Sequence, residues 1–386
     1  LVKTGCDILA RAKCLRLRGK RTGVLANPAS VTSDLRHITE ILLSSNVRLK
    51  AIFGPQHGYT GETQANMIEW ESYEHPGSGI PVYSLYGKTR EPTDEMLGGL
   101  ERILIDLPDI GTRCYTYLST AALMLKACAE KGIKVIIADR PNPIGGKSVE
   151  GPVIDRGFES FVGPFPLTIR HGLTIAEALT MINENEDNKC EMDIIRVSGW
   201  ERSMHFEDTS LRWVMPSPNI PRAETALLYP GMVLLEGTNI SEGRGTTRPF
   251  EIIGAPWIDP RALADELSGT VPGALFRPLH FKPTWDKYSG DICGGVQIHI
   301  TDRERFKPVR TGALAIQTAA SLYPGEFQWT MPPYEYEQVK MPIDIITGSD
   351  NFRNTIDSGS GLRELFESWL EDEGEFKKES NDFFLY

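Results

Sequence analysis

Several large function classes leave no signature in this sequence. Its six cysteines (Cys6, Cys14, Cys114, Cys128, Cys190, Cys293) include no Cys-x-x-Cys pair, which argues against a zinc site and against a disulfide framework. Scattered thiols of this kind are expected to be reduced and buried, and a reducing compartment keeps them so. Seven histidines occur, none recurring at ligand spacing, so no metal is expected. Neither a Gly-x-Gly-x-x-Gly fingerprint nor a phosphate-binding P-loop is present, and no nucleotide cofactor is expected. There is no Gly-x-Ser-x-Gly elbow, which disfavours a Ser-His-Asp hydrolase. Positive charge is short: 41 Lys and Arg against 52 Asp and Glu, a net charge of −11. Nucleic acid is therefore not an expected partner, because phosphate binding needs a positive field. No apolar run is long enough to span a membrane. The thiols lean towards the cytoplasm; export or a periplasmic location is the alternative, should a leader precede Leu1.

What is present is a chain of 386 residues, more than one domain usually holds. Its first part alternates short apolar runs with helical spacing. Runs at 21–27, 49–53, 81–85, 103–106 and 134–139 predict strands. Helices are predicted over 4–17, from a capped start at Thr32-Ser-Asp34 that leads into Ile38 and Leu42, and over 118–131. Continuously apolar strands separated by helices predict an α/β fold, a doubly wound parallel sheet of Rossmann-like character. After Gly151 the rhythm changes to a loop carrying Pro152, Pro164 and Pro166, then a helix from Thr174 with Glu177 at capping-box spacing. Further helices are expected over 260–267, 311–323 and 354–375, and strands over 191–197 and 295–301. The predicted division is a first domain over 1–150 and a smaller α+β domain over 151–386.

Ligands of such sheets bind beyond the carboxyl ends of the strands. Each predicted strand ends in polar residues: Asn27; Gln56 and His57 in Gly54-Pro-Gln-His-Gly58; Tyr83 and Tyr86; Asp106, Asp109 and Arg113; Asp139, Arg140 and Asn142. An acid beside an arginine is ordinarily a structural ion pair, yet so many polar ends along one sheet edge predict one shared cleft. Arg170-His171 lies in a glycine-bounded loop, and Asn219 in the rigid Pro216-Ser-Pro-Asn-Ile-Pro221. The densest polar stretch is Glu236-Gly-Thr-Asn239 with Ile240-Ser-Glu-Gly-Arg-Gly-Thr-Thr-Arg-Pro-Phe-Glu251. Polar side chains so crowded are costly to bury unless they pair with one another or with a ligand. Its carboxylates Glu236, Glu242 and Glu251 are acid candidates, and paired carboxylates are the equipment of glycoside hydrolysis.

In these segments the sequence resembles the exo-β-N-acetylmuramidase (NamZ) family of bacterial cell-wall recycling hydrolases. The resemblance runs through Gly23-Val-Leu-Ala-Asn-Pro-Ala-Ser-Val31, Phe53-Gly-Pro-Gln-His-Gly58, Gly79-Ile-Pro-Val-Tyr-Ser-Leu-Tyr-Gly87, Asp106-Leu-Pro-Asp-Ile-Gly-Thr-Arg113, Asp139-Arg-Pro-Asn-Pro143, Ile169-Arg-His-Gly172, Pro216-Ser-Pro-Asn219, the 236–251 stretch and Cys293-Gly-Gly-Val-Gln297. It covers nearly the whole chain. It implies a Rossmann-like catalytic domain closed over by a smaller one, no cofactor, and release of terminal N-acetylmuramic acid from saccharide or muropeptide fragments of peptidoglycan. It also makes a homodimer an expectation.

The resemblance further implies a catalytic acid in a Gly-Pro-Glu-His-Gly motif, helped by the tyrosine that matches Tyr83. This chain has Gln56 in place of that glutamate, and a glutamine has no proton to give. Three readings stay open. Another carboxylate takes the role, with Glu62 first and Asp109, Asp139 and Glu242 behind it. Or the sugar's acetamido group assists and Gln56 orients it. Or the chain is a catalytically altered or non-catalytic amino-sugar-binding protein. Gln56, His57, Glu62 and Tyr83 are thus the expected catalytic group. The expected substrate contacts are Asp109, Arg113, Asp139, Arg140, Asn142, Arg170, His171, Asn219, Asn239, Glu242, Arg244 and Arg248. Among these, Arg113, Arg140 or Arg244 would hold the substrate's lactyl carboxylate through bidentate bonds.

Overall fold

The computed structural model describes residues 1–65 and 67–386. The apolar runs become strands: β1 (Arg21–Ala26), β2 (Arg48–Gly54), β3 (Tyr73–Glu74), β4 (Pro81–Ser84), β5 (Arg102–Asp106), β6 (Lys134–Ala138) and β7 (Met192–Ile195). They form one sheet in the order β3-β4-β2-β1-β5-β6-β7. Every pairing in it is parallel except β3 with β4. Alternate side chains supply two cores. Leu25, Phe53, Ile105 and Ile137 pack with Leu118 and Leu125 of helix Tyr117–Lys131 and with Leu179 of helix Ile175–Glu184. Val24, Ile52, Leu104 and Ile136 pack with Leu9 of helix Gly5–Arg11 and Leu42 of helix Ile38–Leu43. The doubly wound α/β sheet is therefore as the sequence predicts.

β7 joins this sheet from beyond residue 150, so the first unit runs past the boundary placed there. The proline-rich loop that marked the boundary is a crossover connection back to the sheet. Two helix expectations also change. The first helix stops at Arg11, because Lys13 and Cys14 take positive φ of 50° and 54°. Thr32-Ser-Asp34 opens no helix; that helix begins at Ile38, with the His37 ring accepting from the Thr39 N–H.

The second unit holds β8 (Ile252–Ala255), β9 (Ala274–Phe281) and β10 (Cys293–Ile300), an antiparallel sheet in the order β8-β10-β9. The helix expected over 354–375 is two helices, Asn351–Asp357 and Arg363–Ser380, parted by the glycine- and serine-rich 358–361. Helix Ala223–Met232, absent from the sequence reading, crosses helix Pro308–Leu322 at two glycines. A Cβ on Gly231 would lie 1.7 Å from the Pro308 carbonyl oxygen, and one on Gly312 2.1 Å from that of Gly231. This contact anchors the 3₁₀ turn Val233–Gly237, which carries Glu236. The two units are also tied by Arg113. Its buried guanidinium donates to the carbonyls of Pro152 (2.8 Å), Leu167 (2.5 Å) and Ile346 (2.8 Å).

Candidate active site

β2 delivers the chain into Gly54-Pro-Gln-His-Gly58, where His57 and Gly58 have φ of 69° and 91°. This tight turn sets Gln56 against the start of helix Tyr117–Lys131. Thr116 occupies the N-cap position but makes no side-chain cap. Its hydroxyl donates instead to Oε1 of Gln56 at 2.6 Å. With its oxygen engaged, Gln56 turns its Nε2 to Oε1 of Glu335, 3.0 Å away.

Glu335 belongs to the second unit and sits at the tip of a two-residue turn. Tyr334 and Glu337 exchange both backbone hydrogen bonds at 2.9 Å, and the two residues between them, Glu335 and Tyr336, have φ of 45° and 71°. Positive φ at both central positions is the type I′ pattern that favours Asn-Gly. A Glu-Tyr pair there carries backbone strain. The Glu335 side chain is buried, with Oε2 accepting from the Tyr86 hydroxyl at 2.7 Å. Tyr86 stacks edge-on against Tyr336 (5.5 Å), and the Arg90 guanidinium lies 3.7 Å from the centre of the Tyr336 ring. Burial pushes the Glu335 carboxyl up to about 7; the charge of Glu236 adds to the push, while Tyr86, Gln56 and Arg244 oppose it.

Glu236 has a different setting. It pairs with Arg244 at 2.6 Å and accepts from the Tyr334 hydroxyl at 2.5 Å. Arg244 also binds Glu242 at 2.6 Å, and Lys287 reaches Glu242 at 3.0 Å. Although burial works against it, Lys287 and Arg244 hold the Glu242 carboxyl below the usual carboxylate range. Nδ1 of His57 lies 2.7 Å from the Thr63 carbonyl oxygen. A carbonyl only accepts, so Nδ1 carries the hydrogen and Nε2 is left as an acceptor. Burial, against the opposing Thr63 bond and helped by the charge of Arg244, pushes the ring down to about 4. His57 is therefore neutral near pH 7.

Gln56, His57, Asn219, Glu236, Arg244 and Glu335 line one chamber between the two units. Tyr115, Tyr229 and Phe250 supply apolar wall, with Tyr229 edge-on to both Tyr115 (5.8 Å) and Phe250 (4.8 Å). A few polar groups converging in a concave, partly aromatic site is the usual make-up of a small-ligand pocket. Among the described residues, no group of three His, Cys, Asp or Glu side chains could hold a metal ion.

The other expected site residues fall elsewhere. Glu62 is exposed and accepts from the hydroxyl of Thr60, outside the chamber. Tyr83 packs its ring on Phe53 at 5.5 Å. It does not line the chamber. Arg113 is spent on the three carbonyls already named. Asp139 accepts from Thr174, Ala176 and Tyr386. Arg140 is bidentate to Asp106, at 2.6 and 3.0 Å. Asn142 binds the Leu173 carbonyl and the Ile144 N–H, and Arg170 donates to the Ile144 carbonyl. His171 accepts from the Leu173 N–H at 3.1 Å and lies 3.5 Å from Asp109. Asn239 bridges Glu326 and Gln328, and Arg248 pairs with Glu251 at 3.1 Å. Glu242 stands behind Arg244 rather than in the wall. Asn219 does line the chamber, donating to the Gln64 carbonyl at 2.8 Å.

Nor do all the strand ends share one cleft. Asp109 and Arg140 line a second cavity with Ala29, Val31 and Pro108, beyond the ends of β1, β5 and β6. The twist that separates neighbouring strand ends, and the segment 216–220 passing between them, divide the edge in two. The sequence reading missed Glu335 altogether. The one local signal was Pro332-Pro-Tyr-Glu-Tyr-Glu337, a proline-led turn pattern presenting acids without helical or strand periodicity.

Comparison with known proteins gives a consistent picture. Residues 22–224 match the family model described as exo-beta-N-acetylmuramidase NamZ, N-terminal, and residues 227–386 match its C-terminal counterpart. The chain is 40% identical, over 100% of its length and 91% of the relative's, to the peptidoglycan beta-N-acetylmuramidase NamZ of Bacillus subtilis (strain 168). A crystal structure of a DUF1343 family protein from Bacteroides fragilis superimposes with a TM-score of 0.90 at 34% identity, covering 100% of this chain and 99% of that one. A second from the same organism gives 0.78 at 27%, with the same coverage.

Proposed function

The chain belongs to the exo-β-N-acetylmuramidase NamZ family, and on that premise we propose that it is a glycosidase releasing terminal N-acetylmuramic acid from peptidoglycan fragments. The observation that carries this reading is a pair of glutamates in one chamber with opposite surroundings. Glu236 faces the Arg244 guanidinium. Glu335 is buried, and burial favours its neutral form even though an amide and a phenol donate to it. Glycoside hydrolysis uses two carboxyl groups with different tasks, and a carboxyl kept neutral by burial is suited to the acid's task. The absence of an ionisable group at Gln56 left a binding-only reading open; Glu335, in hydrogen-bond contact with Gln56, supplies a titratable group at the same place.

The test is turnover of a 4-nitrophenyl β-N-acetylmuraminide by the purified chain, beside the matching β-N-acetylglucosaminide. The muraminide is expected to be cleaved and the glucosaminide to be a poor substrate. Saturable binding of the muraminide without release of nitrophenol would contradict the reading.

A further inference from the structure

We propose that Glu335, contributed by the second unit, is the proton donor to the departing glycosidic oxygen, and that Gln56 and Tyr86 of the first unit are the positioning residues that aim it. This deepens the glycosidase reading and rests on it. Three independent features carry it. Both oxygens of the carboxyl are held at once, Oε1 by Gln56 at 3.0 Å and Oε2 by Tyr86 at 2.7 Å, so its plane is fixed. Each oxygen keeps a further lone-pair site on which a proton can sit. The residue stands at positive φ in a turn of two non-glycine residues, a conformation that persists where surrounding structure imposes it and that clusters at functional sites. And it lines the chamber that also holds Glu236.

The chamber offers no competing donor of the same kind. His57 is neutral with its one hydrogen committed to Thr63. Glu236 accepts from Arg244 and Tyr334. The titratable and charged groups packed around Glu335 are Tyr86, Glu236, Arg244, Tyr334 and Tyr336, with Arg90 stacked behind Tyr336. In the step, the bond from the anomeric carbon to the bridging oxygen breaks and its electron pair stays on that oxygen. The oxygen takes the Glu335 proton and leaves as a hydroxyl. Water supplies the oxygen that completes the anomeric centre, and its released proton restores Glu335. Because donor and brace lie on different units, the acid is assembled only where the two units meet.

The experiment compares wild type with Glu335→Gln on two muraminides, a disaccharide whose sugar leaving group needs a proton and a 2,4-dinitrophenyl glycoside whose leaving group does not. The variant is expected to lose about a hundredfold or more in kcat/KM on the disaccharide and less than tenfold on the dinitrophenyl substrate. Equal losses on both, or no loss on either, would overturn the assignment. Wild-type inactivity on both substrates would instead overturn the glycosidase reading beneath it. Glu335→Asp keeps a carboxyl one methylene further back. It is expected to be slower yet to retain the alkaline limb of the pH profile, and loss of that limb would count against the assignment. Tyr86→Phe removes a bond that favours the ionised acid and is expected to move that limb upward; an unmoved limb would remove Tyr86 from the positioning role.

Discussion

The amide of Gln56 and the carboxyl of Glu335, 279 residues apart in sequence, meet at 3.0 Å across the two structural units. Gln56 is in turn oriented by Thr116 at 2.6 Å. The bond from Gln56 favours the ionised form of Glu335. Replacing Gln56 by glutamate exchanges that donor for a second carboxyl at hydrogen-bond distance, and two carboxyls so close cannot both ionise easily. In Gln56→Glu the alkaline limb of kcat/KM is expected to rise by about one pH unit or more, read from rates between pH 5 and 10. A limb that stays in place would show that the two side chains are not coupled.

Glu335 also makes stability depend on pH. Its folded-state value of about 7 lies above the ordinary 4.5. The folded state therefore holds more protons than the unfolded state between those values, and stability falls as pH rises through that window. The loss amounts to about 3 kcal/mol once the pH is above both values. Glu335→Gln has no such titration. Its melting temperature is expected to exceed that of wild type at pH 8, with the gap closing towards pH 4.5, as thermal melts at both pH values would record. A gap independent of pH would contradict the assignment of the raised value to Glu335.

Arg244 holds two buried carboxylates, Glu236 and Glu242, each at 2.6 Å. Breaking a buried pair leaves an uncompensated charge. Arg244→Met is expected to cost about 3–5 kcal/mol in urea denaturation, more than any single surface pair would. A loss within about 1 kcal/mol would mean that Lys287, which also reaches Glu242, suffices for the cluster.

Glu62 offers the contrasting case. It lies exposed in the loop after His57 with its carboxylate on Thr60. Glu62→Gln is expected to leave kcat/KM on the muraminide within twofold of wild type and stability within about 0.5 kcal/mol. A hundredfold loss of activity would move the acid to the loop and away from Glu335.

The sheet was legible because buried parallel strands are continuous apolar runs, as Val24-Leu25 and Ile136-Ile137 illustrate. Helix Ala223–Met232 was not, since it is apolar on nearly every face and contains Pro230 and Gly231, which read as breakers. In the site, Gln56, His57, Asn219 and Arg244 could be found because they lie in strand-end or loop motifs. Arg113, Asp139 and Arg140 have the same local look, yet they point inward and brace backbone or acid partners. Local composition does not distinguish an ion pair that faces the core from one that faces a ligand. Glu335 was hidden for a different reason. Its role depends on where a turn of the second unit lands on the first, and that is set by contacts across the units such as Arg113 with Ile346.

The role of Glu335 is tested most directly by the pH dependence of kcat/KM for N-acetylmuramic acid release from a β-linked muraminyl disaccharide, measured for wild type and Glu335→Gln. The wild-type rate is expected to fall above about pH 7 with the loss of one proton, the value to which burial lifts Glu335, and the variant to keep a residual rate without that limb. A limb of the same position in the variant, or a wild-type rate unchanged up to pH 9, would contradict it.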